Sequence, residues 1–122
     1  MTVNPLVVLI VEDEPLIRMS LVEDLQDAGM VVFEAGTADE ALIILEANLE
    51  ISSVFTDVDM PGTMSGIELA RILRNSRPGV TITLTSGYLK HPKGDLPPEV
   101  GYIPKPYDID HVLRQIRPLA LV

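Results

Sequence analysis

LVVLIVEDEP, residues 6–15, places six apolar residues in a row, then three acids, then a proline. A valine-rich run with no polar alternation marks a strand buried on both faces, as in parallel sheets. Pro15 suits the first turn of a following helix, and Gly29 suits its stop. The same grammar returns at ISSVFT, residues 51–56, which leads into Asp57, Asp59 and the Pro61-Gly62 break. Two strands thus deliver carboxylates to their own tips.

The remaining elements follow from these two. MVVFEA (30–35) is a strand, and Thr37 with Glu40 forms a capping box for a helix running to about Leu49. Ser65 and Glu68 form a second capping box, opening a helix that ends near Ser76. VTITLT (80–85) is a fourth strand and residues 101–103 a short fifth. Ile109, Val112, Leu113 and Ile116 recur at helical spacing in the last helix. Alternation of strand and helix specifies a doubly wound parallel sheet with helices on both faces. Residues 86–100 hold Gly87, Pro92, Gly94, Pro97 and Pro98, so a long helix is excluded there. A surface loop, a mobile lid or a partner surface all suit that segment.

Composition bounds the function. The chain has 122 residues, 47% of them hydrophobic, which suits one folded domain over 1–122 with a real core. With no cysteine, disulfides, thiolate metal sites and cysteine catalysis are excluded. Six apolar residues before the first acid are too few for a signal-peptide core or a membrane span, so a soluble cytoplasmic protein is expected. A net charge of −9 argues against direct duplex DNA binding and suits a cationic partner or a divalent metal.

Ligands of doubly wound sheets bind beyond the carboxyl ends of the strands. There the sequence places Glu12, Asp13 and Glu14 after the first strand, Asp57 and Asp59 after the third, Thr85 at the end of the fourth, and Lys105 after the fifth. The first and third strands are neighbours at the switch point, so Glu12, Asp13 and Asp57 are expected to converge. Two carboxylates about 4 Å apart repel by about 4 kcal/mol at a surface-like dielectric. A hard dication between them removes that repulsion, and oxygen ligands partly from water suit magnesium, with manganese as a substitute. The Met60-Pro61-Gly62 turn brings the Asp59 carbonyl within range of such a metal. A carboxylate so placed is also a nucleophile toward a phosphoryl group. Lys105 and Thr85 supply the charge and hydrogen bonding that such a transfer needs.

The ordered set resembles the receiver domain of two-component response regulators. It comprises Glu12-Asp13, Asp57, Pro61-Gly62 with Gly66, Thr85-Ser86, Tyr102 and Lys105-Pro106, and the match runs over residues 6–119. The resemblance implies five strands in the flavodoxin-like order 2-1-3-4-5; the family usually has a helix after strand four, which residues 86–100 make short or missing here. It implies that Asp57 accepts a phosphoryl group from a phosphohistidine. Asp13 and Asp57 would ligate magnesium directly, Glu12 through water, and Asp59 through its carbonyl. Lys105 and Thr85 would hold phosphoryl oxygens, helped by the N–H groups of Asp59 and Ser86. Thr85 and Tyr102 would switch the surface around strands four and five, and Lys105-Pro106 would be cis. A sensor histidine kinase or histidine phosphotransfer protein is the expected donor, and a downstream protein is the expected effector. No nucleic acid or membrane partner is expected. Glu14, Ile17, Arg18, Pro106 and Tyr107 are candidate partner contacts. Such a protein is a switch that promotes its own phosphorylation and dephosphorylation, with no output domain on this chain.

Three rival readings compete with this one. Asp57, Asp59, Gly62 and Glu68 fall at positions 1, 3, 6 and 12 of a calcium loop, but Pro61 stands where a ligand belongs. Asp57-Val-Asp59 is similar to the paired aspartates of haloacid-dehalogenase-type phosphatases, yet follows the third strand rather than the first. A receiver-like binding module that is never phosphorylated is the third.

Overall fold

The structure, a computed structural model, describes residues 5–62, 64–87, 96–97 and 99–116. Five strands alternate with four helices: β1 (Val7–Val11), α1 (Pro15–Asp27), β2 (Val31–Ala35), α2 (Ala38–Ala47), β3 (Ser53–Asp57), α3 (Gly66–Ser76), β4 (Thr81–Ser86), β5 (Gly101–Pro104) and α4 (Ile109–Ile116). All pairings are parallel, in the order β2-β1-β3-β4-β5. This is the doubly wound sheet that the apolar runs specify.

Each central strand is buried on both faces, and its side chains alternate between two cores. Leu9, Val11, Val54, Ile82 and Leu84 pack with Ala41 and Leu45 of α2 and Ala70 and Leu73 of α3. Val8, Ile10, Phe55 and Ile103 pack on the other face with Leu21 and Leu25 of α1 and Val112 and Ile116 of α4. Burying one such side chain contributes roughly 1.5–3 kcal/mol, and β1 carries no polar residue at all.

Local signals behave as expected at most ends. Pro15 opens α1. Gly29 closes it at φ 91°, where Gly29 N–H donates to Gln26 and Met30 N–H to Leu25, the two bonds of a Schellman stop. Both arms of the Ser65–Glu68 box form. The Thr37–Glu40 box forms in part: Glu40 N–H donates to Thr37 Oγ1 at 3.1 Å, but the Glu40 carboxylate accepts from Gly36 N–H at 2.8 Å, one residue earlier than the box places it.

α2 stops at Ala47, short of the expected Leu49, for a tertiary reason. Asn48 Nδ2 donates to Ile44 O at 2.9 Å, and the Arg77 guanidinium donates to the carbonyls of Leu45, Leu49 and Ile51 at 2.9, 3.0 and 2.8 Å. The Leu45 carbonyl, which a helix reaching Leu49 would use itself, is taken by Arg77.

Between β4 and β5, the described residues Gly87, Leu96, Pro97, Glu99 and Val100 are all non-helical. Residues 88–95 and 98, where the lid or partner surface was expected, lie outside the described residues. None of the described helices is long and apolar enough to cross a membrane.

Candidate functional site

Register brings the tips together. Val11 pairs with Thr56, so Glu12 and Asp57 leave their strands side by side. Asp57 pairs directly with Thr85, and Thr85 with Ile103, which puts Lys105 just beyond the same edge. Neighbouring strands stand about 4.8 Å apart, so these side chains share one pocket. Carboxylate oxygens of Glu12, Asp13 and Asp57 all lie within 4.8 Å of one another. Glu12 and Asp57 are buried, at 2% and 5% exposure, and Asp13 is more open.

The Asp57 carboxylate is held at both oxygens. Oδ1 accepts the Asp59 N–H at 3.0 Å, and Oδ2 accepts the Lys105 ammonium at 2.5 Å. Lys105 also reaches Glu12 Oε1 at 3.3 Å. Glu12 Oε2 accepts the Glu14 N–H at 3.0 Å. The Asp59 side chain is exposed, and its Oδ2 accepts the Ser86 hydroxyl at 3.3 Å. The Lys105-Pro106 bond is cis, as expected.

Gly66 sets how close α3 comes to this pocket. A Cβ there would sit 2.2 Å from the Asp57 carbonyl oxygen. Only glycine lets the first turn of α3 lie against the end of β3. Gly62, at φ 105°, supplies the left-handed turn between them.

Lys105 offsets part of the clustered charge, as the sequence reading expects. Its ammonium bridges Glu12 and Asp57, but one cation against three ionised carboxylates leaves two negative charges over. Burial, with the Asp57 charge, pushes Glu12 above the ordinary 4.5, outweighing the Glu14 N–H and Lys105. Burial works to lower Lys105, yet its bonds and attraction to Asp57 and Glu12 raise it above the ordinary 10.5. One ammonium serves two acids and bonds Asp57 more closely than Glu12. Two residual charges on hard oxygen ligands, one set more open than the rest, fit a divalent metal.

Thr85 Oγ1 is buried and has no hydrogen-bond partner among the described residues. A buried hydroxyl without a partner is costly, and this one stands across from the Asp57 carboxylate. Tyr102 pairs with Leu84, packs half-buried on the α2–α3 core, and likewise has no hydroxyl partner among the described residues.

The expected partner contacts divide. Ile17, Pro106 and Tyr107 line a groove of about 580 Å³, together with Leu16, Ser20, Leu21, Asp24, Gly87, Lys105 and Ile109. Tyr107 anchors its floor edge-on against Phe55, with ring centroids 5.6 Å apart, and burial pushes its phenol up to about 12. Glu14 is exposed outside the groove. Arg18 turns away from it, donating to the Glu12 carbonyl at 2.7 Å and to Glu34 Oε1 at 3.0 Å. Nothing local in the sequence marks that tether; only an arginine one turn into a helix after an acidic loop hints at it.

The calcium-loop rival does not survive this geometry. Asp57 lies in a strand where a calcium loop follows a helix, and Glu68 is used in the cap of α3.

Comparison with known proteins points the same way. A family model described as the response regulator receiver domain matches residues 8–117. The sensor kinase CckA of Brucella abortus is 37% identical over 114 residues, covering 90% of this chain but only 12% of the kinase. PdtaR of Mycobacterium tuberculosis, a transcriptional regulatory protein, is 40% identical over 80 residues, covering 65% of this chain and 38% of that one. The chain thus spans a minor part of either relative. The crystal structure of the receiver domain from the hybrid histidine kinase CckA superposes with a TM-score of 0.78 at 32% identity, covering 92% of this chain and 96% of that domain. The response regulator TrrA of Thermotoga maritima, solved in complex with Mg²⁺ and BeF, gives 0.80 at 28% identity over 93% and 98%. With the strand order, the acidic pocket and these matches in agreement, the chain belongs to the response regulator receiver domain family.

Proposed function

We propose that Asp57 is the phosphoacceptor of a magnesium-dependent signalling switch, charged by a phosphohistidine on a sensor kinase or histidine phosphotransfer protein. The observation that carries this reading is the state of Asp57: buried at the tip of β3, bonded at both oxygens, and facing an unpartnered Thr85 hydroxyl.

An Asp57 oxygen attacks phosphorus, the phosphorus–nitrogen bond breaks, and its electron pair returns to the imidazole, which takes up a proton. The product is an acyl phosphate. Lys105, already within 2.5 Å of Oδ2, moves its ammonium onto the incoming oxygens. Thr85 Oγ1 gains its missing partner there, and the Asp59 N–H keeps the carboxylate aimed. Water attacking the same phosphorus returns the carboxylate and inorganic phosphate. Asp13 and Asp57 would hold the metal directly, Glu12 through water and Asp59 through its carbonyl. Bound there, magnesium would neutralise charge on the phosphoryl group. Drawing Thr85 toward the phosphate, with Tyr102 following, would remodel the β4–β5 surface for an effector protein.

The groove beside Lys105 is the natural seat for the donor protein, because its apolar walls adjoin the reacting carboxylate. Leu16 and Met19 extend that apolar surface at 80% and 61% exposure. Ile17→Glu should slow phosphotransfer from the donor while leaving labelling by acetyl phosphate intact; loss of both would contradict the docking role.

Incubation with acetyl phosphate and magnesium, followed by intact-mass analysis, tests the central claim. One adduct of about 80 Da, a single phosphoryl group, is expected on the wild type and none on Asp57→Asn. No adduct on the wild type would favour a binding module that is never phosphorylated. Turnover of phosphomonoesters would favour an aspartate-nucleophile phosphatase.

A further inference from the structure

We infer that Arg18 is a positioning residue for the metal-facing loop, an inference that rests on reading the pocket as a metal-dependent phosphoacceptor site. Its guanidinium spans two acceptors. Nη1–H donates to the Glu12 carbonyl at 2.7 Å, and Nε–H donates to Glu34 Oε1 of β2 at 3.0 Å. The Arg18 side chain is mostly covered, at 23% exposure, whereas Glu34 is half exposed.

The tether acts on the peptide that carries Asp13. The Glu12–Asp13 peptide is planar, so fixing its carbonyl oxygen fixes the plane from which the Asp13 Cα departs. On the other side of Glu12, its N–H donates to Ala35 O of β2 at 3.0 Å. The main chain is therefore fastened to the β2 edge twice, once directly and once through Arg18. The Glu12 carboxylate has its own fasteners in Glu14 N–H and Lys105. Among the described residues no group donates to the Asp13 carboxylate, so the backbone alone sets its position. Asp13 is the acid whose aim depends most on Arg18.

Arginine is suited to this task and lysine is not. A planar fork reaches a carbonyl and a carboxylate in fixed directions at once, whereas an ammonium is a point charge on a flexible stem. Glu34 orients the fork without touching the pocket.

Calorimetric titration of magnesium into the full chain, without phosphodonor, is the test. Arg18→Met should bind magnesium about tenfold more weakly, the scale seen when a group that orients a metal ligand is lost. Arg18→Lys and Glu34→Gln should fall between it and the wild type, with thermal unfolding still cooperative. Unchanged magnesium affinity in Arg18→Met would overturn the proposal. So would slower transfer from a phosphorylated kinase with unchanged magnesium affinity, which would make Arg18 a partner contact. If Arg18→Met fails to fold, Arg18→Lys and Glu34→Gln decide the matter by the same titration. A wild type that binds magnesium but takes no phosphoryl group from acetyl phosphate would defeat the proposed function alone. A wild type that binds no magnesium would defeat both.

Discussion

The two ends of the sheet treat polar groups in opposite ways. At the end where the strands begin, Arg77 ties together three carbonyls from α2 and the turn that follows it. Arg74 similarly donates to the carbonyls of Val80 and Pro78, although its Nε and the Ser53 hydroxyl have no partner among the described residues. At the end where the strands finish, two buried carboxylates share one ammonium, a third lies within reach, and Thr85 has no partner among the described residues. One end closes the fold with arginine forks. The other keeps charge in excess and a hydroxyl in reserve, an arrangement that costs stability and suits a metal and a phosphoryl group. Sites of this kind commonly trade stability for function.

Gly66→Ala should break the contrast most severely. The new methyl group meets the Asp57 backbone rather than a flexible side chain. A loss of about 3 kcal/mol is expected, at the upper end for overpacking, with acetyl phosphate labelling reduced. Denaturant unfolding and the mass assay report both effects, and an unperturbed variant would mean that α3 can back away freely.

Arg77→Ala tests the closed end. Its loss strips three carbonyls of a charged donor, so a destabilisation of about 2–3 kcal/mol is expected. Magnesium affinity should stay at the wild-type level. A change in metal binding would mean that the two ends are coupled and the comparison is wrong.

Asp57→Asn tests the open end with the opposite sign. Removing one negative charge from the cluster should raise the melting temperature of the metal-free protein by about 3 °C. Magnesium should stabilise the wild type, by about 1.4 kcal/mol at ten times its dissociation constant, and have much less effect on the variant. A variant less stable than the wild type would show that the Asp57–Lys105 pair outweighs the repulsion around it.

Glu12→Gln gives the finest test, through pH. Burial first, and then Asp57, raise the folded pKa of Glu12 above 4.5. A raised folded value favours the native state while the group is protonated, and that contribution is lost as pH rises through the folded pKa. Metal-free Glu12→Gln should therefore be slightly more stable than the wild type at pH 7. The difference should shrink as pH falls toward 4.5, measured by urea unfolding across that range. A difference that grows on acidification would reverse the assigned sign.

Much of the site is legible in the sequence because each of its acids follows an apolar run. Glu12-Asp13 and Asp57 are read by position alone once β1 and β3 are recognised as neighbours. Gly66 is visible as part of the motif, but its reason, a carbonyl 2.2 Å from any Cβ, is not. Arg18 reads as a candidate surface contact because helical position says nothing about a side chain reaching back past its own first turn. α2 ends two residues before the expected Leu49, where Arg77, 32 positions away, holds the Leu45 carbonyl.

The sequence by itself determined the alternation of strands and helices, the two buried faces and the tips on which the acids sit, since these depend on hydrophobic period and nearby capping residues. Only the tertiary structure decided which carboxylate takes the short bond to Lys105, where Arg18 and Arg77 anchor, and that Thr85 is left without a partner. Those contacts join residues up to 93 positions apart, and parallel register sets which of them meet. Register is a property of paired strands, and no single stretch of chain encodes it.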